Sequence, residues 1–96
     1  MRVIVNVPAS LREFSGGARH LTLDCDEPST LAAVFQRLHV AAPGVVERAL
    51  DEQGQIRPHV NVFLDGERIR AGSRQGLQTP VQAGAEVWIL PAVSGG

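Results

Sequence analysis

The sequence contains no lysine, because its nine basic residues are all arginines. Without a side-chain amine, the protein cannot carry ubiquitin-like chains built on itself. Its single cysteine, Cys25, excludes an internal disulfide and with it the class of disulfide-stabilised secreted scaffolds. The formal net charge is only -1, so the chain lacks the excess of positive charge that binds a nucleic-acid backbone.

Long hydrophobic runs are also missing. No apolar run approaches the length needed to cross a bilayer, and the first residues alternate between apolar and polar instead of forming the core of a signal peptide. A chain of 96 residues suits one compact domain and is too small to build a deep enzyme cleft as well. We therefore expect a cytoplasmic protein that binds neither membrane nor nucleic acid.

Alternating apolar residues predict most of the β-structure. The alternation appears in four segments, residues 2–7, 20–25, 60–64 and 85–90. Asp65-Gly66 has the composition of a tight turn, which predicts a hairpin from the third of these strands into residues 68–70. Pro91 is expected to close the last strand, because proline cannot donate to a sheet ladder.

One helix is predicted between the second and third strands. Ser29 or Thr30 supplies its N-cap, and apolar residues then recur at helical spacing to form one stripe. Pro43-Gly44 is expected to end this segment, with one further short helical turn over residues 46–50. Residues 72–84 are predicted to be irregular. The order of elements predicts an α+β domain whose single helix covers one face of a sheet and leaves the other face open.

The chain ends in an uncharged segment, Pro91-Ala92-Val93-Ser94-Gly95-Gly96. Fully extended, these six residues reach roughly 20 Å. Terminal glycines have no Cβ, so they can thread a narrow channel and let a reactive centre approach the backbone. We therefore divide the chain into a domain over residues 1–90 and a flexible tail over residues 91–96. A frayed terminus with an incidental Gly-Gly is the alternative.

The whole chain resembles the ubiquitin-like sulfur carriers of the MoaD/ThiS type. The resemblance rests on the strand-hairpin start, the helix start Ser29-Thr30-Leu31, the strand Val60-Asn61-Val62 and the ending from Ala85 to Gly96. It implies a β-grasp (ubiquitin-like) fold, which is a mixed sheet covered on one face by a helix, with a flexible C-terminal Gly-Gly tail. The ending and the Gly44 to Leu50 segment are most similar to the carriers of a cysteine-biosynthesis route in actinobacteria.

The resemblance also implies a chemistry in which the protein is a covalent co-substrate, not an enzyme. An E1-like enzyme would use ATP to adenylate the Gly96 carboxylate, and sulfur would then displace AMP to leave a thiocarboxylate. Gly95, Ser94 and Val93 would form the tail that carries this group, with Ser94 standing where relatives often have alanine or another small residue. No cofactor is expected on the carrier itself.

The resemblance leaves the sulfur acceptor open. In relatives of the cysteine route, a pyridoxal-phosphate-dependent cysteine synthase accepts the sulfur, and a zinc peptidase then frees cysteine from the carrier. In the molybdenum-cofactor relatives, the tail inserts into the large subunit of molybdopterin synthase. A thiamin-type carrier and a ubiquitin-like protein modifier share the activation step. A regulatory subunit whose tail completes another active site and a β-grasp interaction module are further alternatives.

The open face of the sheet is predicted to bind these partners. Strand side chains alternate, so Trp88 and Leu90 should point away from the helix. The same logic places Phe63 and Ile4 on that face. An exposed apolar patch beside the tail is typical of an interaction site, and aromatic residues are its usual anchors. Burial of Trp88 under a loop, with no role in binding, is the alternative.

Other reactive residue types give weaker signals. Cys25 shares a strand face with Leu21 and Leu23, which favours a buried structural cysteine over a persulfide or thioester site. The histidines have no zinc-ligand spacing, and no metal site is predicted. They are His20, His39 and His59.

Overall fold

A computed structural model describes residues 1–70 and 75–91 of the chain. Within these residues the strands are β1 (Arg2–Asn6), β2 (His20–Asp24), β3 (Ser29–Thr30), β4 (Val60–Leu64), β5 (Glu67–Ile69), β6 (Pro80–Val81) and β7 (Glu86–Pro91). The helices are α1 (Leu31–Ala41) and α2 (Pro43–Ala49), and two 3-10 helices span Ala9–Phe14 and Gly76–Gln78.

Five strands form a mixed sheet in the order β2-β1-β7-β4-β5. β1 pairs antiparallel with β2 and parallel with β7, and β4 pairs antiparallel with both β7 and β5. The last described strand, β7, therefore lies at the centre of the sheet. β3 and β6 form a separate two-stranded sheet. This arrangement confirms the predicted α+β class and its mixed sheet.

The hydrophobic core lies between one face of the sheet and the helices. Alternation along β1, β4 and β7 directs their core residues to this face, and α1 covers them with its apolar stripe. The side chains that are almost completely inaccessible include Val3, Val5, Val62, Val87, Ile89, Leu31, Val34 and Leu38.

The start of α1 is fixed by Thr30, which decides between the two predicted caps. The Thr30 backbone is extended, and its Oγ1 accepts a hydrogen bond from the Ala33 amide at 3.3 Å. Ser29 is instead buried in β3, opposite Val81. The N-cap is therefore Thr30, which directly precedes the first helical residue, Leu31, as N-cap geometry requires.

The prediction that a single helix covers the sheet is wrong, because the short turn predicted over residues 46–50 is part of a second helix, α2, which starts at Pro43 and follows α1 directly. Ala42 separates them with a non-helical backbone (φ -151°, ψ 74°), and Pro43 occupies the first turn of α2. Proline lacks an amide hydrogen and has a fixed φ, so it ends one helix but suits the first turn of the next. The α2 residues Val45 and Ala49 are completely buried, so two helices cover the sheet.

Two boundaries also differ from the prediction. β7 continues through Pro91, which lies opposite Val60, because a strand's final residue can take part through its carbonyl without donating an amide. Residues 75–84 are not wholly irregular, since they include a 3-10 helix and β6. The predicted flexible tail over residues 91–96 lies, beyond Pro91, outside the described residues.

Gly44 allows a close contact between α2 and the first 3-10 helix. A Cβ built on Gly44 would lie 2.8 Å from Cδ1 and 2.9 Å from Cβ of Phe14. The guanidinium of Arg48 covers the Phe14 ring, with Cζ 3.5 Å from the ring centroid. Arg48 Nη1 also donates to the Gly44 carbonyl at 3.2 Å. The three residues therefore pack as one unit.

We expect Gly44→Ala to lower the free energy of unfolding by about 1–3 kcal/mol, the usual cost of overpacking. Alanine has a better helix propensity than glycine by up to about 1 kcal/mol, which opposes the cost of overpacking. The sign of the change in the free energy of unfolding therefore shows whether Phe14 can move away from the new methyl group. Urea denaturation of the two proteins measures it. A variant as stable as the wild type would show that the contact with Phe14 relaxes without cost.

Candidate functional site

The open face of the sheet carries a row of side chains that crosses all five strands. Trp88 on β7 lies opposite Phe63 on β4 and Asn6 on β1. Asn6 lies in turn opposite His20 on β2, and Phe63 lies opposite Arg68 on β5. An aromatic pair therefore occupies the middle of the row, and polar residues occupy its ends.

The four residues predicted to bind partners lie together on this face, and we call them the open-face patch: Ile4, Phe63, Trp88 and Leu90. Trp88 is 42% exposed and Leu90 is 37% exposed, while Phe63 and Ile4 are partly buried. Leu90 follows Trp88 on the same face of β7, and Ile4 is Trp88's diagonal neighbour on β1. Their role in binding a partner stays a prediction.

The start of β7 is anchored to the turn between β4 and β5. Asp65 adopts a left-handed backbone with φ 50°. Its amide donates to the Glu86 carbonyl at 2.9 Å, and its Oδ1 accepts from the Glu86 amide at 2.9 Å. Reciprocal bonds of this kind fix the register of β7 and hence the placement of Trp88 and Leu90.

The predicted site of sulfur attachment, Gly96, lies outside the described residues, as do Val93, Ser94 and Gly95. The described chain leads directly to them, because Pro91 ends the central strand one residue after Leu90 of the open-face patch. The chain therefore leaves the last described strand directly beside the open-face patch. The predicted chemistry at Gly96 requires no reactive side chain on the domain.

Residues 1–70 and 75–91 contain no group of three or more histidine, cysteine, aspartate or glutamate side chains placed to hold a metal ion. The histidines lie on different elements, with His20 on β2, His39 on α1 and His59 before β4. The same ranges contain no helix long and apolar enough to span a membrane.

Cys25 is buried at the end of β2. Its amide donates to the Met1 carbonyl at 2.8 Å, and its carbonyl accepts from the Met1 ammonium at 2.7 Å. Burial raises the pKa of the Cys25 thiol above its ordinary value, and the charges of Arg37 and the N-terminus offset part of this effect. Because the thiolate is the nucleophile, a buried protonated thiol fits a structural role, as the strand pattern predicts.

The raised pKa of Cys25 predicts a loss of stability at alkaline pH. Above pH 9.0, the ordinary pKa of this thiol, the unfolded state loses its proton while the folded state keeps it. The free energy of unfolding should therefore fall with pH until the raised pKa is passed. The chain contains neither tyrosine nor lysine, so few other groups titrate in this range. Urea midpoints against pH should show this slope in the wild type and lose it in Cys25→Ala. Equal slopes would contradict the assignment.

Two arginines near the end of β7 were not singled out by the sequence reasoning. Arg48 on α2 and Arg57 before β4 both line a groove that reaches Pro91. The sequence signal for them is weak, because they lie nine positions apart and share no helix or strand. Their proximity depends on α2, which the sequence predicts only as one short turn.

Comparisons with known proteins match this fold and ending. The model of the ThiS family matches residues 5–96. The sulfur carrier protein CysO of Mycobacterium tuberculosis is 36% identical over 98 residues, covering 100% of both chains. Small archaeal modifier protein 1 of Haloferax volcanii is 31% identical over 88 residues, covering 92% of this chain and 93% of its own.

The fold itself is shared with solved structures. The crystal structure of the Amycolatopsis orientalis BexX/CysO complex matches with a TM-score of 0.81 and 29% sequence identity, covering 98% of this chain and 99% of that chain. This likeness confirms the β-grasp architecture that the resemblance implies. The family match extends from β1 through the Gly-Gly ending, and the chain therefore belongs to the ThiS family of ubiquitin-like proteins.

Proposed function

We propose that this protein is a sulfur carrier whose Gly96 carboxylate is converted to a thiocarboxylate that donates sulfur in the biosynthesis of cysteine. The observation that carries the proposal is the position of β7. This strand is the centre of the sheet, and it runs into an uncharged Gly-Gly ending in a chain whose full length matches a sulfur carrier. The carboxylate is thereby attached, through the tail, to a central strand that is paired on both sides.

The carboxylate must first be activated, because its negative charge repels nucleophiles. An E1-like enzyme would join a Gly96 carboxylate oxygen to the α-phosphorus of ATP, with pyrophosphate leaving. Sulfide sulfur would then attack the acyl carbon, and the bond to AMP would break. The resulting thiocarboxylate is a nucleophile near neutral pH, so the chain changes from an electrophile to a sulfur donor. ATP binds to the activating enzyme and not to the carrier.

The carrier contributes reach and recognition. Five residues follow Pro91, and an extended segment of that length spans at most roughly 17 Å. A partner that holds the open-face patch can therefore receive the carboxylate in a site set back from its own surface. The A. orientalis complex shows that a CysO protein of this fold binds a second protein, which supports a partner-dependent role here.

Two kinds of partner would handle the sulfur, and a third would release the product. The first is the E1-like adenylating and sulfur-transferring enzyme. The second is the sulfur acceptor, for which we propose a pyridoxal-phosphate-dependent cysteine synthase, with the large subunit of molybdopterin synthase as the alternative. A zinc peptidase would release the product. We propose that the carrier acts in the cytoplasm as a non-catalytic co-substrate of these enzymes.

A protein modifier is the second candidate function. The match to small archaeal modifier protein 1 favours it, since a modifier uses the same activated carboxylate to acylate a lysine of another protein. Because this chain has no lysine, its own side chains offer no amine for such conjugates. Peptides in which Gly96 is joined to lysines of other proteins would identify the modifier.

The intact mass of the untagged protein tests the proposal. The protein is incubated with ATP, sulfide and the E1-like enzyme of the same organism. Replacement of one oxygen by one sulfur, absent from a variant without Gly96, supports the carrier. An unchanged mass contradicts it, provided that pyrophosphate release or loading of another carrier shows that the enzyme is active.

A further inference from the structure

A groove of about 640 Å³ opens beside the end of β7, and we call it the tail-exit groove. Its apolar wall includes Val60 and Pro91, which lie opposite each other in the sheet. Its polar lining includes Arg48, Arg57 and Glu47. The groove is thus adjacent to the point from which the tail must leave the domain.

Both arginines are held in fixed positions. Arg48 is stacked on Phe14 and donates to the Gly44 carbonyl. Arg57 donates to the Glu47 carbonyl from both Nε, at 3.2 Å, and Nη2, at 3.1 Å. Side chains that are already ordered lose little further entropy when they bind a ligand. The tail-exit groove is therefore organised before any partner arrives.

Neither arginine forms an ion pair with a carboxylate within residues 1–70 and 75–91. The ion pair found in these residues joins the Met1 ammonium to Asp24 instead. Glu47 also lines the groove, but its backbone carbonyl, not its carboxylate, contacts Arg57. A guanidinium has five N–H donors, and these contacts use one on Arg48 and two on Arg57. Two fixed cations with unused donors face one carboxylate, so the lining has a positive balance.

We propose that the tail-exit groove receives an acidic segment of the protein that takes up the tail, with aspartate or glutamate carboxylates bound by Arg48 and Arg57. Guanidinium groups match carboxylates in charge and in their planar, two-donor geometry. Contact between this acidic segment and the two arginines would bind the domain close to the point where the chain enters the partner. The identity of the partner in this inference rests on the proposed function. The chemistry of the ligand, a carboxylate bound by arginine, does not.

The chemistry can be tested without the partner. The 15N-labelled protein is titrated with an acetylated, amidated hexaglutamate peptide and, separately, with its hexaglutamine analogue. The Nε–H resonances of Arg48 and Arg57 should shift in a saturable manner with hexaglutamate alone. Arg57→Glu should weaken this binding about 10-fold or more, and Arg37→Glu should not. Arg37 is the matched control because it carries the same charge but lies on α1, outside the groove.

Two results of the titration would overturn the proposal. Equal shifts at all arginine resonances would show a general charge effect without a site. A shift of the Arg57 Nε–H resonance on removal of residues 92–96, in the absence of peptide, would show that the groove belongs to the chain's own carboxylate.

The loading reaction gives an independent measurement. With the E1-like enzyme, Arg57→Glu should raise the KM for the carrier about 10-fold and leave kcat unchanged, while Arg37→Glu keeps both values. An unchanged KM would overturn the proposal, because the activating enzyme is the first protein that takes up the tail. If the wild type is not loaded at all, the proposed function fails, and the peptide titration still decides the chemistry of the groove.

Discussion

Removal of Gly96 should reduce thiocarboxylate formation by at least about 100-fold and leave the stability of the domain unchanged. The shortened chain still ends in a carboxylate, but that group is held about 3.5 Å closer to Pro91. Reacting groups displaced by even 1 Å can lose about 100-fold in rate. The initial rate of loading, followed by intact mass, measures the effect.

Ser94→Ala is the matched control for this deletion, because it changes the tail without changing its length. We expect it to load at close to the wild-type rate. Gly95→Val keeps the length as well but adds a branched side chain, so it should load slowly if the tail passes through a narrow channel. Normal loading after removal of Gly96 would contradict the assignment of Gly96 as the attachment site.

Trp88→Ala should weaken binding to the E1-like enzyme about 30-fold, or by about 2 kcal/mol, which is the usual effect of removing an aromatic anchor from an interface. Trp88 is 42% exposed on the open face, so the free protein should keep its fold and its urea midpoint. Titration calorimetry with the untagged carrier measures the dissociation constant. Leu90→Glu should act in the same direction, since it puts a charge in the open-face patch.

Val40→Ala provides the control for the tryptophan variant. Val40 is 83% exposed, but it lies on α1, which covers the opposite face of the sheet. Its truncation also removes exposed apolar surface and should not change the dissociation constant. If Trp88→Ala and Val40→Ala bind equally well, the open-face patch is not the docking surface.

Local patterns were sufficient to predict the five strands of the main sheet, the main helix and the open face. Alternation in β1 and β7 assigned Val5 and Ile89 to the core, and the same alternation assigned Trp88 and Leu90 to the other face. These predictions succeed because the period of a strand is independent of which strands become its neighbours. The order of the strands required the resemblance to a known family.

The parts that local patterns missed depend on contacts between distant segments. The sequence pattern predicts Pro43 only as the end of α1, because its role as the start of α2 is visible only once Val45 and Ala49 are placed in the core. Pairing of Ser29 with Val81 joins residues more than 50 positions apart. The tail-exit groove likewise requires α2 and the start of β4 to meet beside Pro91.

The central position of β7 also determines how the protein withstands force. If a partner drew in the tail, the part of its pull that acted along β7 would fall on a strand that is hydrogen-bonded to β1 on one side and to β4 on the other. Ladder bonds run across the strands, so this pull loads them together in shear, whereas a pull across an edge strand would open them one after another. A pull along β7 would therefore be resisted by both ladders at once.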